Sequence, residues 1–137
     1  MRHELNVWVV GGDMRQAKLA ELLAEEGHTV HTYALERADD LDPALAESTL
    51  AGAELADCVV LPLPAAGEGG RLNAPLSVEK PLLADVLSAL RPEQVVCAGK
   101  VDGDLKARAE ARSLRLYDYF AREELAVANA VPGALAV

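Results

Sequence analysis

The sequence predicts one α/β domain built on a doubly wound parallel sheet of about five strands, with helices on both faces in a three-layer sandwich. Three observations carry that expectation. Short, continuous, β-branched apolar runs recur along the chain, as strands buried on both faces require. Stretches with apolar residues at helical spacing separate them. Strict alternation of the two is the signature of parallel strands joined by right-handed helical crossovers.

Asn6 to Val10 (NVWVV) is the first such run, and Gly11-Gly12 ends it. Asp13 follows as a helix N-cap, because its carboxylate can accept the orphan N–H groups of a first turn. Leu19, Leu22 and Leu23, with Glu26 completing the i, i+3, i+4, i+7 spacing, mark one helix face, and Gly27 suits the C′ position that ends it. Thr29 to Tyr33 reads as the second strand. Residues 36–56, rich in Asp, Glu and Ala and holding Pro43, read as a loop with a short helix. Asp57 to Leu63 is the third strand, and it runs into Pro62, Pro64 and the polar segment Gly67-Glu68-Gly69-Gly70.

Pro81 suits position N1 of a helix whose apolar face is Leu82, Leu83, Val86, Leu87 and Leu90, and Pro92 stops it. Gln94 to Ala98 is the fourth strand, closed by Gly99. Asp104 to Arg112 is a polar helix, and Leu114 to Tyr119 is the fifth strand. A last helix is expected from about Arg122-Glu123-Glu124, where the acidic residues suit the positive end of its dipole. No internal repeat or low-complexity linker interrupts the pattern.

Composition narrows the function. Of 137 residues, 51% are hydrophobic, yet the chain has only one Trp, one Phe and three Tyr, so the core is aliphatic. The net charge of −9, with thirteen basic residues scattered among twenty-two acidic ones, argues against a nucleic-acid partner. Phosphate binding needs clustered Lys and Arg. The apolar run after Glu4 is far too short for a signal-peptide core or a membrane span. Cys58 lies near the start of its strand and Cys97 near the end of its own. In parallel strands the two are offset, so reduced, buried, structural cysteines are expected rather than a disulfide. No Cys or His spacing resembles a metal site.

In open α/β sheets, ligands bind outside the carboxyl ends of the strands near the topological switch point. Three loops meet that condition. In Gly11-Gly12-Asp13-Met14-Arg15-Gln16, the glycines would let a ligand approach the backbone, the helix start favours an anion, and the Arg15 fork suits a carboxylate. The same residues also read as a tight turn with a helix cap. They do not form the G-x-G-x-x-G dinucleotide fingerprint, whose later glycines would fall at Asp13 and Gln16, and Asp13 would repel a pyrophosphate. The second loop, Pro62 to Gly70, reads as a long flexible ligand loop or a surface excursion, with Pro64, Gly67, Gly69 and Gly70 as its candidate binding residues. The third is Ala98-Gly99-Lys100, where Lys100 is either a cation for the cleft or a solvated surface charge. Catalytic residues cannot be nominated: the serines lack a G-x-S-x-G context, and His3, His28 and His31 are dispersed, with His28 placed as a helix cap.

Taken together, these segments resemble a family. The stretch VWVVGGDMRQAKLAELLAEEGHTV is similar to the start of the dipicolinate synthase A subunit, whose first strand ends in a Gly-Gly-Asp-x-Arg-Gln turn. VVLPLPAAGEGG is similar to that family's third strand and Gly-rich loop, and the segment Cys97-Ala98-Gly99-Lys100 takes the place of a small-Gly strand end. YDYFAREELAVANAVPGALAV resembles its Arg-Glu-x-Leu-Ala and Asn-Ala-Val-Pro run. The GGDxRQ turn and the REELAVANAVP stretch are the most specific parts.

The resemblance implies a flavodoxin-like, Rossmann-like domain over residues 1–120, with residues 121–137 beginning an interdomain helix that is cut before a nicotinamide-binding domain. It implies an oxidoreductase of the cytoplasm of the mother cell in a sporulating bacterium. That enzyme oxidises a dihydrodipicolinate-type dicarboxylate, derived from the lysine pathway, with NADP. The cofactor would be held by the second domain, so the chain alone would be inactive and would carry no cofactor. The B subunit of dipicolinate synthase is the implied partner, and a homodimer is possible. On the substrate side, Gly11, Gly12, Asp13, Arg15, Pro64, Gly67, Gly69, Gly70, Gly99 and Lys100 would face the dicarboxylate. Two other readings stand beside this one: a nucleotide- or flavin-binding module, and a domain that docks another protein chain.

Overall fold

The structure, a computed structural model, describes residues 4–39, 41–99 and 103–118. Six strands form one parallel sheet: β1 (Asn6–Val10), β2 (Thr29–Tyr33), β3 (Ala46–Glu47), β4 (Cys58–Val60), β5 (Val95–Ala98) and β6 (Arg115–Asp118). Helices α1 (Met14–Glu25), α2 (Leu83–Ser88) and α3 (Gly103–Ala111) join them. The order across the sheet is β3-β2-β1-β4-β5-β6. This is the order of a doubly wound dinucleotide-type fold, and without the two-residue β3 it would be the flavodoxin order. The chain builds outward from β1 in one direction and from β4 in the other, so right-handed crossovers put the helices on opposite faces.

The side chains obey that geometry. Val7 and Val9 of β1 point to the face where Ala17 and Ala20 of α1 pack. Trp8 and Val10 point to the other, where Leu83, Val86 and Leu87 of α2 meet Leu105 and Ala109 of α3. A parallel strand buried on both faces needs a continuous apolar run, which is why NVWVV and CVV were readable as strands.

Several expectations need correction. Among the described residues the sheet has six strands, where about five were expected. The extra one, β3, lies in the stretch expected to be a loop with a short helix, which instead holds two 3₁₀ turns, Pro43–Leu45 and Ala53–Leu55, around it. A two-residue edge strand leaves no periodicity to read. It is held by side chains: His31 Nδ1 lies 3.0 Å from Glu47 Oε2, and the His31 ring stacks on Trp8 with centroids 5.2 Å apart.

Helix α1 buries Gln16, Ala17 and Ala20, while Leu22 is exposed, so its inward face is rotated from the leucine stripe. Small alanines let the helix lie close on the sheet, and Leu19 and Leu23 then pack at its flanks. Gly27 does end the helix: its N–H donates to Ala24 O and that of His28 to Leu23 O, the paired bonds of a Schellman cap. His28 does not cap it by its side chain; Nδ1 accepts from the Leu5 N–H at 3.1 Å. Pro81 is not at N1, because α2 begins only at Leu83 with Leu82 at its N-cap. The Pro81 carbonyl is instead taken by the Leu72 N–H at 2.8 Å. Tyr119, the helix expected from Arg122, the tail and the proposed interdomain segment 121–137 lie outside the described residues.

Gln94, read from sequence as the start of a strand, is a fully buried tie. Its Nε2 donates to Ala53 O at 2.7 Å and Ala56 O at 2.8 Å, and its Oε1 accepts from the Arg91 N–H at 2.9 Å. Gln94→Leu keeps the volume but strands the buried Ala56 carbonyl and the Arg91 N–H, while Ala53 O keeps the Ala56 N–H at 3.1 Å. An unsatisfied buried polar group costs about 1–3 kcal/mol. Urea denaturation is therefore expected to show a loss of at least about 2 kcal/mol, larger than that for the exposed control Glu93→Ala.

Candidate functional site

The switch point lies between β1 and β4, so the candidate site is built by the turn after β1 and the segment after β4. The turn needs both of its glycines, for reasons internal to the protein. Gly11 (φ 66°) and Gly12 (φ 91°) are both left-handed. A Cβ on Gly12 would stand 2.2 Å from Gln16 Cγ and 3.1 Å from Pro62 Cβ, and one on Gly11 would stand 2.9 Å from Asn73 O. Their N–H groups are also used internally: Gly11 donates to Tyr33 O at 2.7 Å and Gly12 to Asn73 O at 2.8 Å. Both amides thus have acceptors within the chain. The chain's own segment 72–74 packs where the absence of side chains had suggested room for a ligand.

Two residues missed by sequence reasoning hold this arrangement. Gln16, buried at the start of α1, donates through Nε2 to Val60 O at 3.3 Å and toward Val10 O at 3.5 Å, bridging the carboxyl ends of β4 and β1. Asn73 donates through Nδ2 to Pro64 O at 3.0 Å and Leu63 O at 3.4 Å, while its backbone carbonyl takes the Gly12 N–H. Polar residues inside otherwise apolar surroundings, Gln16 three residues after the cap and Asn73 after the glycines, were the available signals.

The segment expected to be a flexible loop is a closed arm. Ala66 bridges Leu72 in antiparallel fashion, Gly67 N–H donates to Arg71 O at 2.8 Å, and Arg71 bridges Leu82. Arg71 Nη1 also donates to Lys80 O at 2.8 Å. Gly67, Gly69 and Gly70 sit at the exposed tip, and Gly69 and Gly70 take the positive φ that the reversal needs. Around each of these three glycines a Cβ would meet open space, so their backbone is accessible, unlike that of Gly11 and Gly12. Pro64 is exposed and follows a cis peptide bond, and Gly99 is buried at the end of β5. Lys100 lies outside the described residues.

Asp13 and Arg15 act as a unit. Asp13 Oδ1 accepts the Arg15 backbone N–H at 2.9 Å, which caps α1. The same carboxylate takes Arg15 Nε at 3.2 Å and Nη2 at 3.0 Å. Capping the helix and orienting the arginine are thus both done by one residue. The Arg15 guanidinium, and then its backbone N–H, hold the Asp13 carboxyl below the usual carboxylate range. Arg15 remains largely exposed at the mouth of the site.

The side of the site above β2 is acidic. Burial, followed by the charges of Glu79, Glu36 and Asp85, raises the Tyr33 phenol. Burial also opposes ionisation of Glu36, but the Val78 and Glu36 N–H groups and the Ser77 hydroxyl outweigh it and lower its pKa. Among the described residues, no group of three or more His, Cys, Asp or Glu is placed to hold a metal ion. Among them too, no helix is long and apolar enough to cross a membrane.

Gly12→Ala combines left-handed strain of about 1–3 kcal/mol with the Gln16 clash. It is expected to lower stability by more than Gly69→Ala, which meets open space and carries only the strain; denaturant midpoints of the two variants decide this. Acid should also loosen the site. Because the folded pKa of Asp13 is depressed, its cap and pairing are fully present above about pH 4, the unfolded range, and are lost as pH falls below it through the folded value. Protection of the Arg15 amide against exchange, relative to its intrinsic rate at each pH, is expected to fall over that acid window in the wild type and to lose this dependence in Asp13→Asn.

No curated protein matches the chain. Solved structures share its fold, among them two A subunits of dipicolinate synthase. The dipicolinate synthase A chain from Bacillus subtilis has a TM-score of 0.75 at 23% identity, covering 94% of this chain and 44% of that one. The dipicolinate synthase A subunit from Bacillus halodurans has a TM-score of 0.71 at 19% identity, covering 93% and 45%. This chain thus spans less than half the length of either. The family model for the N-terminal domain of the dipicolinate synthase A subunit matches residues 6–120, from the first residue of β1 to just past β6, and the chain belongs to that family.

Proposed function

We propose that this chain supplies the substrate side of a dipicolinate synthase, in which a dihydrodipicolinate-type dicarboxylate is oxidised with NADP during sporulation. The family match over residues 6–120 carries the reading. The site adds a physical reason: an oriented Arg15 at the switch point, opposite an acidic flank, is an arrangement for attracting a carboxylate to one side. In this reading residues 1–120 are the substrate domain and 121–137 begin the interdomain helix. The synthase's B subunit is the partner, a homodimer is possible, and the location is the cytoplasm of the mother cell. Alone, the domain is expected to be inactive.

The turn after β1 does not fit a dinucleotide. Its two glycine N–H groups are bonded internally, Gln16 fills the space over Gly12, and Asp13 puts a carboxylate where a pyrophosphate would lie. NADP is accordingly assigned to a domain outside this chain. What this chain's residues do is bind and orient. Arg15 clamps one carboxylate and Lys100 supplies a second cation. The exposed arm with Pro64, Gly67, Gly69 and Gly70 approaches from one side and Gly99 forms the floor. Gly11, Gly12 and Asp13 serve by holding the turn and the arginine.

Thermal shift with dipicolinate, NADP and FMN in parallel tests the proposal. Dipicolinate alone is expected to raise the midpoint. A charge-assisted hydrogen bond is worth about 1.5–3 kcal/mol, so Arg15→Ala should weaken dipicolinate binding roughly 10–100-fold. Unchanged affinity in that variant would remove Arg15 from the site. A shift with NADP or FMN but not dipicolinate would replace the substrate-side reading with a nucleotide-binding module.

A further inference from the structure

The two cysteines of the chain meet on the sheet. Cys58 opens β4, and Cys97 is the third residue of β5. In the β4–β5 register Cys58 lies opposite Val95 and Val60 opposite Cys97, so the cysteines are diagonal neighbours on one face. That is the α1 face, where Cys58 and Val60 pack. Their Sγ atoms are 3.6 Å apart. Cys97 is 4% exposed and Cys58 is only partly buried. The sequence expectation of offset, reduced thiols holds for the backbone, but it missed that the side chains lean together.

The strand spacing decides what such a pair can do. Neighbouring strands lie about 4.8 Å apart, and two residues along a strand span about 6.6 Å, so diagonal Cα atoms stand roughly 8 Å apart. A disulfide rarely spans more than about 6.8 Å, so direct oxidation would require the sheet to shear. A bridging atom removes that requirement. Two thiolates at the ~2.3 Å metal–sulfur distance of a tetrahedral ion lie about 3.7–3.8 Å from one another, close to the separation here.

We propose that Cys58 and Cys97 form a two-thiolate chelate for a soft, thiophilic divalent cation, with solvent completing the coordination. Binding breaks two S–H bonds, forms two metal–sulfur bonds and releases two protons, with no change of oxidation state. The cation must displace the second proton, so affinity rises with pH, by up to about a hundredfold per unit while both thiols are protonated.

Cadmium is the probe. The reduced 137-residue chain is titrated anaerobically with Cd²⁺ while sulfur-to-metal charge-transfer absorption is followed in the near ultraviolet. The expected result is saturation at one ion per chain, a native mass showing one cadmium with two protons lost, and loss of the saturable band in both Cys58→Ser and Cys97→Ser. No band in the wild type, or a full band surviving in either variant, overturns the site. Should a serine variant not fold, the wild-type native mass decides alone, since these are the chain's two cysteines. Treatment with a small disulfide oxidant is the second arm. A folded product two hydrogen atoms lighter, with Cys58 linked to Cys97, would show that the strands do close and would overturn the chelate in favour of a disulfide.

Discussion

The turn Gly11–Gly12 is where the carboxyl end of β1, the start of α1 and the segment after β4 converge, and each is placed by how closely it can approach that backbone. Gln16 and Pro62 lie within about 3 Å of where a side chain on Gly12 would begin, and Asn73 stands equally close to Gly11. The two glycine N–H groups are consumed by Tyr33 and Asn73 carbonyls. Buried backbone donors must find partners, so the 72–74 segment is bound into the turn. From that follow the closed arm with its glycine tip, the alignment of the two strand ends bridged by Gln16, and the projection of Arg15 from a capped helix start.

Charge is distributed around this turn in a way that gives the site a sign despite the acidic composition. Asp13 neutralises part of Arg15 but also fixes its direction, because one carboxylate serves the helix N–H and the guanidinium together. Over β2, Glu36, Glu79 and Asp85 act on Tyr33 in the opposite sense. The sign of the local charge is therefore set by position rather than by the net charge, which is −9 for the chain as a whole.

Buried polar groups elsewhere do structural work of a similar kind. Gln94 joins the turn at Ala53–Leu55 to the loop before β5, and the thiol pair lies between β4 and β5 on the α1 face. These features make the sheet more than a hydrophobic stack. They depend on partners far away in sequence: Gln94 and Ala53 are 41 residues apart, and Cys58 and Cys97 are 39 apart. Local patterning carries no trace of such pairs, so the glutamine read as a strand residue and the cysteines as inert.

What could be read in the sequence was whatever depends on local periodicity. Doubly buried strands demand continuous apolar runs, so NVWVV, CVV and VVCA declared themselves, and with them the α/β class and the carboxyl-end location of the loops. The Asp13 cap and the Gly27 stop are likewise matters of a few consecutive residues. Tertiary structure alone decided the strand order, the two-residue β3, the inward face of α1 and the use of the Gly11 and Gly12 amides. The physical reason is the same in each case. A glycine reports that space or a left-handed turn is needed, but whether a ligand or the chain itself takes that space depends on a segment distant in sequence, and only folding brings Asn73 to Gly12.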